Sequence, residues 1–377
     1  MTVQPLVALD IGSTKVACAI GLPYDGLPGF ELLGSSLVPY PVVADNWLSD
    51  PLMVSRTIEQ ALEATAVSAE FDRALVAIRH PMLGSEHVKV SVPLGDEPLT
   101  IRSHDMQRLR TAALAQALGV DREPLVVECL GCSGNGFEGV RDPRGMAATR
   151  LVGNFHIVTL PVAARCALVQ AVESVGLEIA KLTYTLPLSV AIGTSDTPRA
   201  QRVLAVDVGG FSTDVGLFID GVLWALQTVP WGGLQLASTI AKDLHVTMEQ
   251  AATWSLEGTA CRKPEVRALI EARWALLGAT MKRMLKDQPR PDAVVLSGRG
   301  SLIDGFAEWV EQSTGASAVL CRSERTSKLA DLSRQVGLSP VLGMLESATG
   351  AAEPSARPPH LFNRLIDQTR SILTEYF

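Results

Sequence analysis

The chain has few aromatic residues, at 5% of its 377, and charged side chains make up only 19%. No apolar run reaches the roughly 18 residues of a membrane-spanning helix, so no span is expected. The opening MTVQPLVALD has neither the basic nor the apolar segment of a secretory signal, and the chain is read as cytoplasmic. Basic residues are outnumbered: 33 Lys and Arg against 40 Asp and Glu give a formal charge of −7, which argues against a nucleic-acid partner. The six cysteines, at 18, 129, 132, 166, 261 and 321, are scattered through mostly apolar stretches and read as reduced, buried small hydrophobes. Cys129 and Cys132 have CxxC spacing, but no second pair or close histidine accompanies them, so neither a metal nor a redox role is expected. Hydrophobic residues are plentiful, at 47%, and the length suits two lobes better than one core.

Two segments repeat one design. VALDIGSTKVACAI (7–20) and LAVDVGGFSTDVGLF (204–218) each run from apolar residues through an Asp and a Gly-rich, hydroxyl-bearing turn into a second apolar run. Each reads as a β-hairpin whose bare turn lets backbone N–H groups face a phosphate. A third segment, DAVVLSGRGSLIDG (292–305), reads as a strand, a glycine turn and a helix over Leu302–Gln312, a usual seat for a nucleoside or an anion. Alternating strands and helices in both halves indicate an α/β fold.

In this order the three segments resemble the actin superfamily, whose first two hairpins bracket the phosphates and whose third holds the nucleoside. Within it, GVRDPRGM (139–146) followed by NFHIVTLPV (154–162) resembles the FtsA family of bacterial cell-division proteins, in the inserted subdomain called 1C. The resemblance implies an actin-like two-lobed fold with an FtsA-type 1C subdomain and a C-terminal amphipathic helix. The expected division is 1–83 with 163–198 as the first lobe, 84–162 as 1C and 199–346 as the second lobe, with a reduced subdomain 2B at about 234–287. A Pro- and Ala-rich tether (347–360) and a membrane-targeting helix (361–377) complete it.

The resemblance also implies site residues. Asp10 would hold Mg²⁺ through water, with Gly12, Ser13, Thr14 and Lys15 facing phosphate; Asp207, Gly209, Gly210, Ser212 and Thr213 would form the opposite cradle, and Gly298 and Gly300 would admit the nucleoside. ATP and Mg²⁺ are thus the implied ligands, with a nucleotide-free protein as the other outcome. Several positions depart from the family pattern: Phe211 and Arg299 stand where relatives have glycine, and Thr253 and Ser255 where they carry Glu and Lys. Leu186 precedes Pro187 where relatives have a glutamate that orients or deprotonates the attacking water, and leucine does neither. Hydrolysis is therefore expected to be lost, and Leu186→Glu to raise any residual rate. No catalytic residue is assigned.

The short interval between Asp207 and Gly298 implies that subdomain 2B, which in relatives receives the tail of the tubulin-like protein FtsZ, is cut down. In LFNRLIDQTRSILTEYF (361–377), Leu361, Phe362, Leu365, Ile366, Ile372, Leu373, Tyr376 and Phe377 fall on one stripe and polar residues on the other. Burying such a stripe is worth on the order of 1.5 kcal/mol per side chain, and its position matches the FtsA membrane helix. The polar face is barely basic, so membrane affinity rests on apolar insertion. The sequence thus reads as a scaffold, peripheral on the inner face of the membrane, with FtsZ or other divisome proteins as partners and self-association into actin-like filaments as a further property. The alternatives are an active ATP-hydrolysing FtsA that tethers FtsZ filaments, or a platform of a pilus or secretion machine like PilM.

Overall fold

The computed structural model describes residues 4–41, 47–195, 200–256 and 263–350. The stripe of 361–377 lies outside the described residues.

The first lobe opens with antiparallel strands β1 (Leu6–Ile11), β2 (Lys15–Pro23) and β3 (Phe30–Pro39). Helix α1 (Pro51–Glu63) follows, capped by the Asp50 carboxylate, which accepts from Met53 N at 3.0 Å, and started by Pro51, whose missing N–H is no loss at that position. Its Val54, Ile58 and Ala61 are buried against the sheet. Strand β4 (Arg73–Ile78) then runs parallel to β1.

An insertion follows: β5 (Gly84–Pro93), β6 (Leu99–Thr100), α2 (Ser103–Ala117), β7 (Arg122–Gly134), β8 (Phe137–Val140), β9 (Ala147–Ala148) and β10 (Arg150–Pro161). Its sheet has the order β5-β10-β7-β8, with β6 and β9 paired beside it. Val88, Val90 and Val92 alternate inward along β5 onto Leu109 and Ala113 of α2, as a half-buried strand requires. The chain returns through α3 (Val162–Glu173), β11 (Glu178–Tyr184) and α4 (Thr185–Gly193), giving a first sheet ordered β11-β4-β1-β2-β3.

The second lobe repeats the scheme with β12 (Arg202–Val208), β13 (Thr213–Ile219), β14 (Val222–Val229), α5 (Gly233–Asp243), α6 (Met248–Leu256), α7 (Pro264–Leu285), β15 (Ala293–Ser297), α8 (Phe306–Thr314) and β16 (Ala318–Leu320). Its sheet is ordered β14-β13-β12-β15-β16. Between β14 and β15 the described residues form three helices and no strand. The helix read from sequence as starting at Leu302 starts at Phe306, because Arg299–Leu302 closes a 3-10 turn first.

The last helix, α9 (Leu332–Ala348), lies across the expected boundary between second lobe and tether at 346/347. Its Leu338, Val341, Leu342 and Leu345 pack on Ala8, Ala17, Ala19 and Phe30 of the first lobe, where the small residues of β1 and β2 leave room for a helix, and its Ser339 donates to Cys321 O of the second lobe at 3.2 Å. Among the described residues no helix is long and apolar enough to cross a membrane.

The insertion is fastened to the second lobe. Val126 and Val158 share an apolar cluster with Phe218, Leu223 and Leu226. Arg141, from the GVRDPRGM segment, donates to Ile219 O at 3.2 Å and pairs with Asp220 at 3.1 Å in the β13–β14 turn. His156 is fully buried between Leu223 O (3.0 Å) and Ser85 Oγ (2.8 Å). A carbonyl only accepts, so Nδ1 carries the proton and Nε2 accepts from Ser85. Burial, and then the adjacent His87, push its pKa down to about 4. An unfolded histidine titrates near 6.5, so below that pH the unfolded chain takes up a proton that the fold refuses. Its contribution to stability is complete above about pH 6.5 and falls toward pH 4 by about 1.4 kcal/mol per unit. In His156→Gln this part of the pH dependence should vanish, so the stability gap between wild type and variant in urea unfolding should narrow by about 2 kcal/mol from pH 7 to pH 5. Parallel profiles would show that His156 does not stay neutral.

Candidate functional site

The two hairpins meet across the interlobe cleft. In the first, Gly12 N donates to Lys15 O at 3.1 Å and closes the β1–β2 turn; in the second, Gly209 N donates to Ser212 O at 2.9 Å and closes the β12–β13 turn. The first turns of α5 begin here, with Gly233 N and Leu234 N donating to Gly209 O and Gly210 O at 2.7 and 3.0 Å. The β15 turn joins them through Gly298, at φ +76°, where a Cβ would strike Asp207 and Val208. These elements enclose a cavity of about 330 Å³, at the small end of ligand sites.

Ten of the residues picked from sequence line this cavity: Asp10, Gly12, Ser13, Thr14, Lys15, Asp207, Gly209, Gly210, Gly298 and Gly300. Ser212 and Thr213 do not. Thr213 begins β13 and donates its hydroxyl inward to Trp231 O at 2.8 Å, while Ser212 is buried and its carbonyl closes the turn. Phe211, which stands where relatives have glycine, is not among the lining residues either. Arg299 lines it and is exposed, and Ser255 lines it while Thr253 does not. Apolar residues also line it, among them Leu234, Ala237, Ala252, Leu256, Ile303 and Val336, and they suit a base more than a phosphate.

The residue that sequence reading missed is Arg79. It directly follows β4, so parallel pairing with β1 carries it to the carboxyl end of the sheet, near Asp10. Its Nη1 lies 2.5 Å from Asp207 Oδ1 and donates to Asp207 O at 3.2 Å, joining the first lobe to the second. A Cβ on Gly209 would collide with this guanidinium. Burial alone would pull the Arg79 pKa down, but Asp207, Asp214 and Asp10 outweigh it and hold the group charged. Behind the pair, burial pushes the Asp214 pKa up to about 6 although Arg79 draws it down, and Thr228 donates to it at 2.7 Å. The one available signal was a charged residue at the carboxyl end of an apolar parallel strand, where α/β sheets place their ligands.

Asp10 has its own internal cation. Lys15 Nζ is 3.4 Å from Asp10 Oδ2 and donates to Gly337 O of α9 at 3.1 Å. Thr185 donates to Asp10 Oδ1 at 3.4 Å. Asp10 and Asp207 are the lining carboxylates among the described residues, and each already has a charged partner. No cluster of three or more His, Cys, Asp or Glu that could hold a metal is found among those residues. A divalent cation bridging to Asp10 and Asp207 therefore does not fit this arrangement without displacing a buried cation.

Leu186 also differs from its reading. Thr185 lines the cavity; Leu186 is fully buried in the cluster of Val158, Tyr184, Phe218 and Val295, packed against Gly216. A longer polar side chain at this position starts inside the core.

Two five-stranded sheets, each carrying an Asp–Gly hairpin turned to a shared cleft, are the actin-superfamily fold. The solved structures agree: the PilM–PilN type IV pilus biogenesis complex superposes with a TM-score of 0.68 at 14% identity over 93% of this chain and 99% of that one. The ethanolamine utilization protein EutJ of Carboxydothermus hydrogenoformans gives 0.53 at 15% identity, covering 91% and 89%. Residues 82–159, the insertion, match the model of the SHS2 domain inserted in FtsA. The cell division protein FtsA of Pseudomonas aeruginosa is 25% identical over 340 residues, 81% of this chain and 80% of that protein. That of Agrobacterium fabrum is 25% identical over 370 residues, 95% and 78% respectively. The chain is an FtsA-like protein of the actin superfamily.

Proposed function

We propose that this protein is a division scaffold that attaches to the inner face of the membrane and gathers cytoskeletal or divisome proteins there, with nucleotide as a structural ligand and without efficient ATP hydrolysis. The observation that carries the reading is the FtsA-type insertion, clamped to the second lobe by Arg141, in a protein whose two cleft carboxylates are both engaged by internal cations. A hydrolytic base needs a carboxylate free to take a proton from water, and neither Asp10 nor Asp207 is so placed. Purified protein with ATP and Mg²⁺ should turn over no faster than a few per minute; a higher rate overturns the non-hydrolytic reading.

Attachment rests on the stripe of 361–377, which gains several kcal/mol by entering the headgroup–acyl boundary. Wild type should co-sediment with liposomes, whereas the Leu365→Asp, Ile372→Asp variant and a chain ending at Pro359 should stay in solution. Equal sedimentation of all three removes the anchor. FtsZ is the less favoured partner, because three helices without a strand occupy the described part of the region that receives it in the resemblance. Partners of the insertion, and self-association through the lobes, are favoured instead.

A further inference from the structure

Acidic groups facing each other across a phosphate clamp need countercharge. Here both have it from within the chain: Lys15 at Asp10, and Arg79 at Asp207. The two pairs differ in what they join. Lys15 stays within the first hairpin and reaches α9, whereas Arg79 crosses the cleft from the end of β4 to the end of β12. The Arg79 side chain is 13% exposed, and what remains open faces the cavity, beside the Gly209 turn. Nη1 is occupied by Asp207, and the rest of the guanidinium fork borders the turn whose partner across the cleft carries Ser13 and Thr14.

A second observation points to a ligand. Ser297, at the end of β15 and in register with Asp207, is 3% exposed and lines the cavity, yet its Oγ has no hydrogen-bond partner. A buried hydroxyl left unpaired is costly and marks a place where a further group is missing. Arg79, held against the Asp207 that Ser297 pairs with, is a donor suited to an oxyanion, and the apolar residues of the same cavity suit a purine or pyrimidine.

We propose that Arg79 takes the electrostatic place of the divalent cation, so that the cleft binds the polyphosphate of a nucleoside triphosphate without Mg²⁺. This rests on reading the cleft as a nucleotide site and says how that site works. A guanidinium supplies directional N–H donors in a planar fork that matches phosphate oxygens, and it needs no hydration shell. Mg²⁺ demands octahedral oxygen ligands at roughly 2.0–2.1 Å and retains several waters, for which Asp207 is no longer free.

The test is calorimetric titration of the full chain with ATP, in EDTA and in MgCl₂. The expected result is binding in both, with dissociation constants within about threefold, which is under 1 kcal/mol. In Arg79→Ala, binding in EDTA should weaken by about tenfold or more, the scale of a lost charge-assisted contact, and MgCl₂ should restore part of it because Asp207 is released. Arg79→Lys should retain most of the metal-free affinity. Binding that appears only with Mg²⁺, or no ATP binding in either buffer, overturns the proposal, as does unchanged binding by Arg79→Ala in EDTA. Should the alanine variant fail to fold by circular dichroism, the wild-type and Arg79→Lys titrations decide alone. None of these outcomes bears on membrane attachment or turnover, which the liposome and hydrolysis assays read separately.

Discussion

Replacing Arg79 by Met should lower the unfolding free energy by about 3–5 kcal/mol, the usual effect of removing one member of a buried ion pair. The Asp207 side chain is 5% exposed and Asp214 is buried behind it, so the variant leaves two buried carboxyls with no cation between them. The loss is mostly the penalty of the stranded carboxylate, not the net value of the pair. The double variant Arg79→Met, Asp207→Asn should therefore recover much of it, since both charges are gone. Urea unfolding of wild type, the two single variants and the double variant gives the cycle. A double variant as unstable as the sum of the singles would show that the two residues act independently and that the lobes are not joined here.

Leu186→Glu should cost on the order of 3 kcal/mol and leave ATP turnover unchanged. The sequence comparison suggested the opposite, a gain of water activation. The structure explains the change: Leu186 lies among Val158, Tyr184, Phe218 and Val295, not on the cavity wall, which Thr185 supplies. A carboxylate there is desolvated, so its folded pKa rises, and the penalty grows as pH increases through the interval between the unfolded and the raised value. Stability relative to wild type should consequently recover toward acidic pH. A stable variant with a raised hydrolysis rate would mean that this side chain swings into the cleft.

Much of this was legible in the chain. The paired Asp–Gly turns announce two hairpins because a bare turn between apolar runs has few other uses, and ten of their residues and those of the β15 turn meet at one cavity. GVRDPRGM marked the insertion. Strands β3 and β14 were harder to read, since they extend sheets whose pattern is carried by their neighbours. The direction of Thr213 was not legible either: its hydroxyl has a choice between cleft and core, and the partner that decides, Trp231 O, lies 18 residues on.

Local pattern, then, was enough for what short-range chemistry controls: strand and helix periods, the glycine turns, the acidic residues near the ends of β1 and β12, and the family of the insertion. Contacts between residues far apart in the chain were decided by the fold alone. Arg79 and Asp207 are 128 positions apart, and Lys15 and Gly337 are 322 apart. Whether two acidic residues wait for a metal or already hold a cation depends on which strand ends the sheets bring together. That is a property of topology and packing, and no spacing along the chain encodes it.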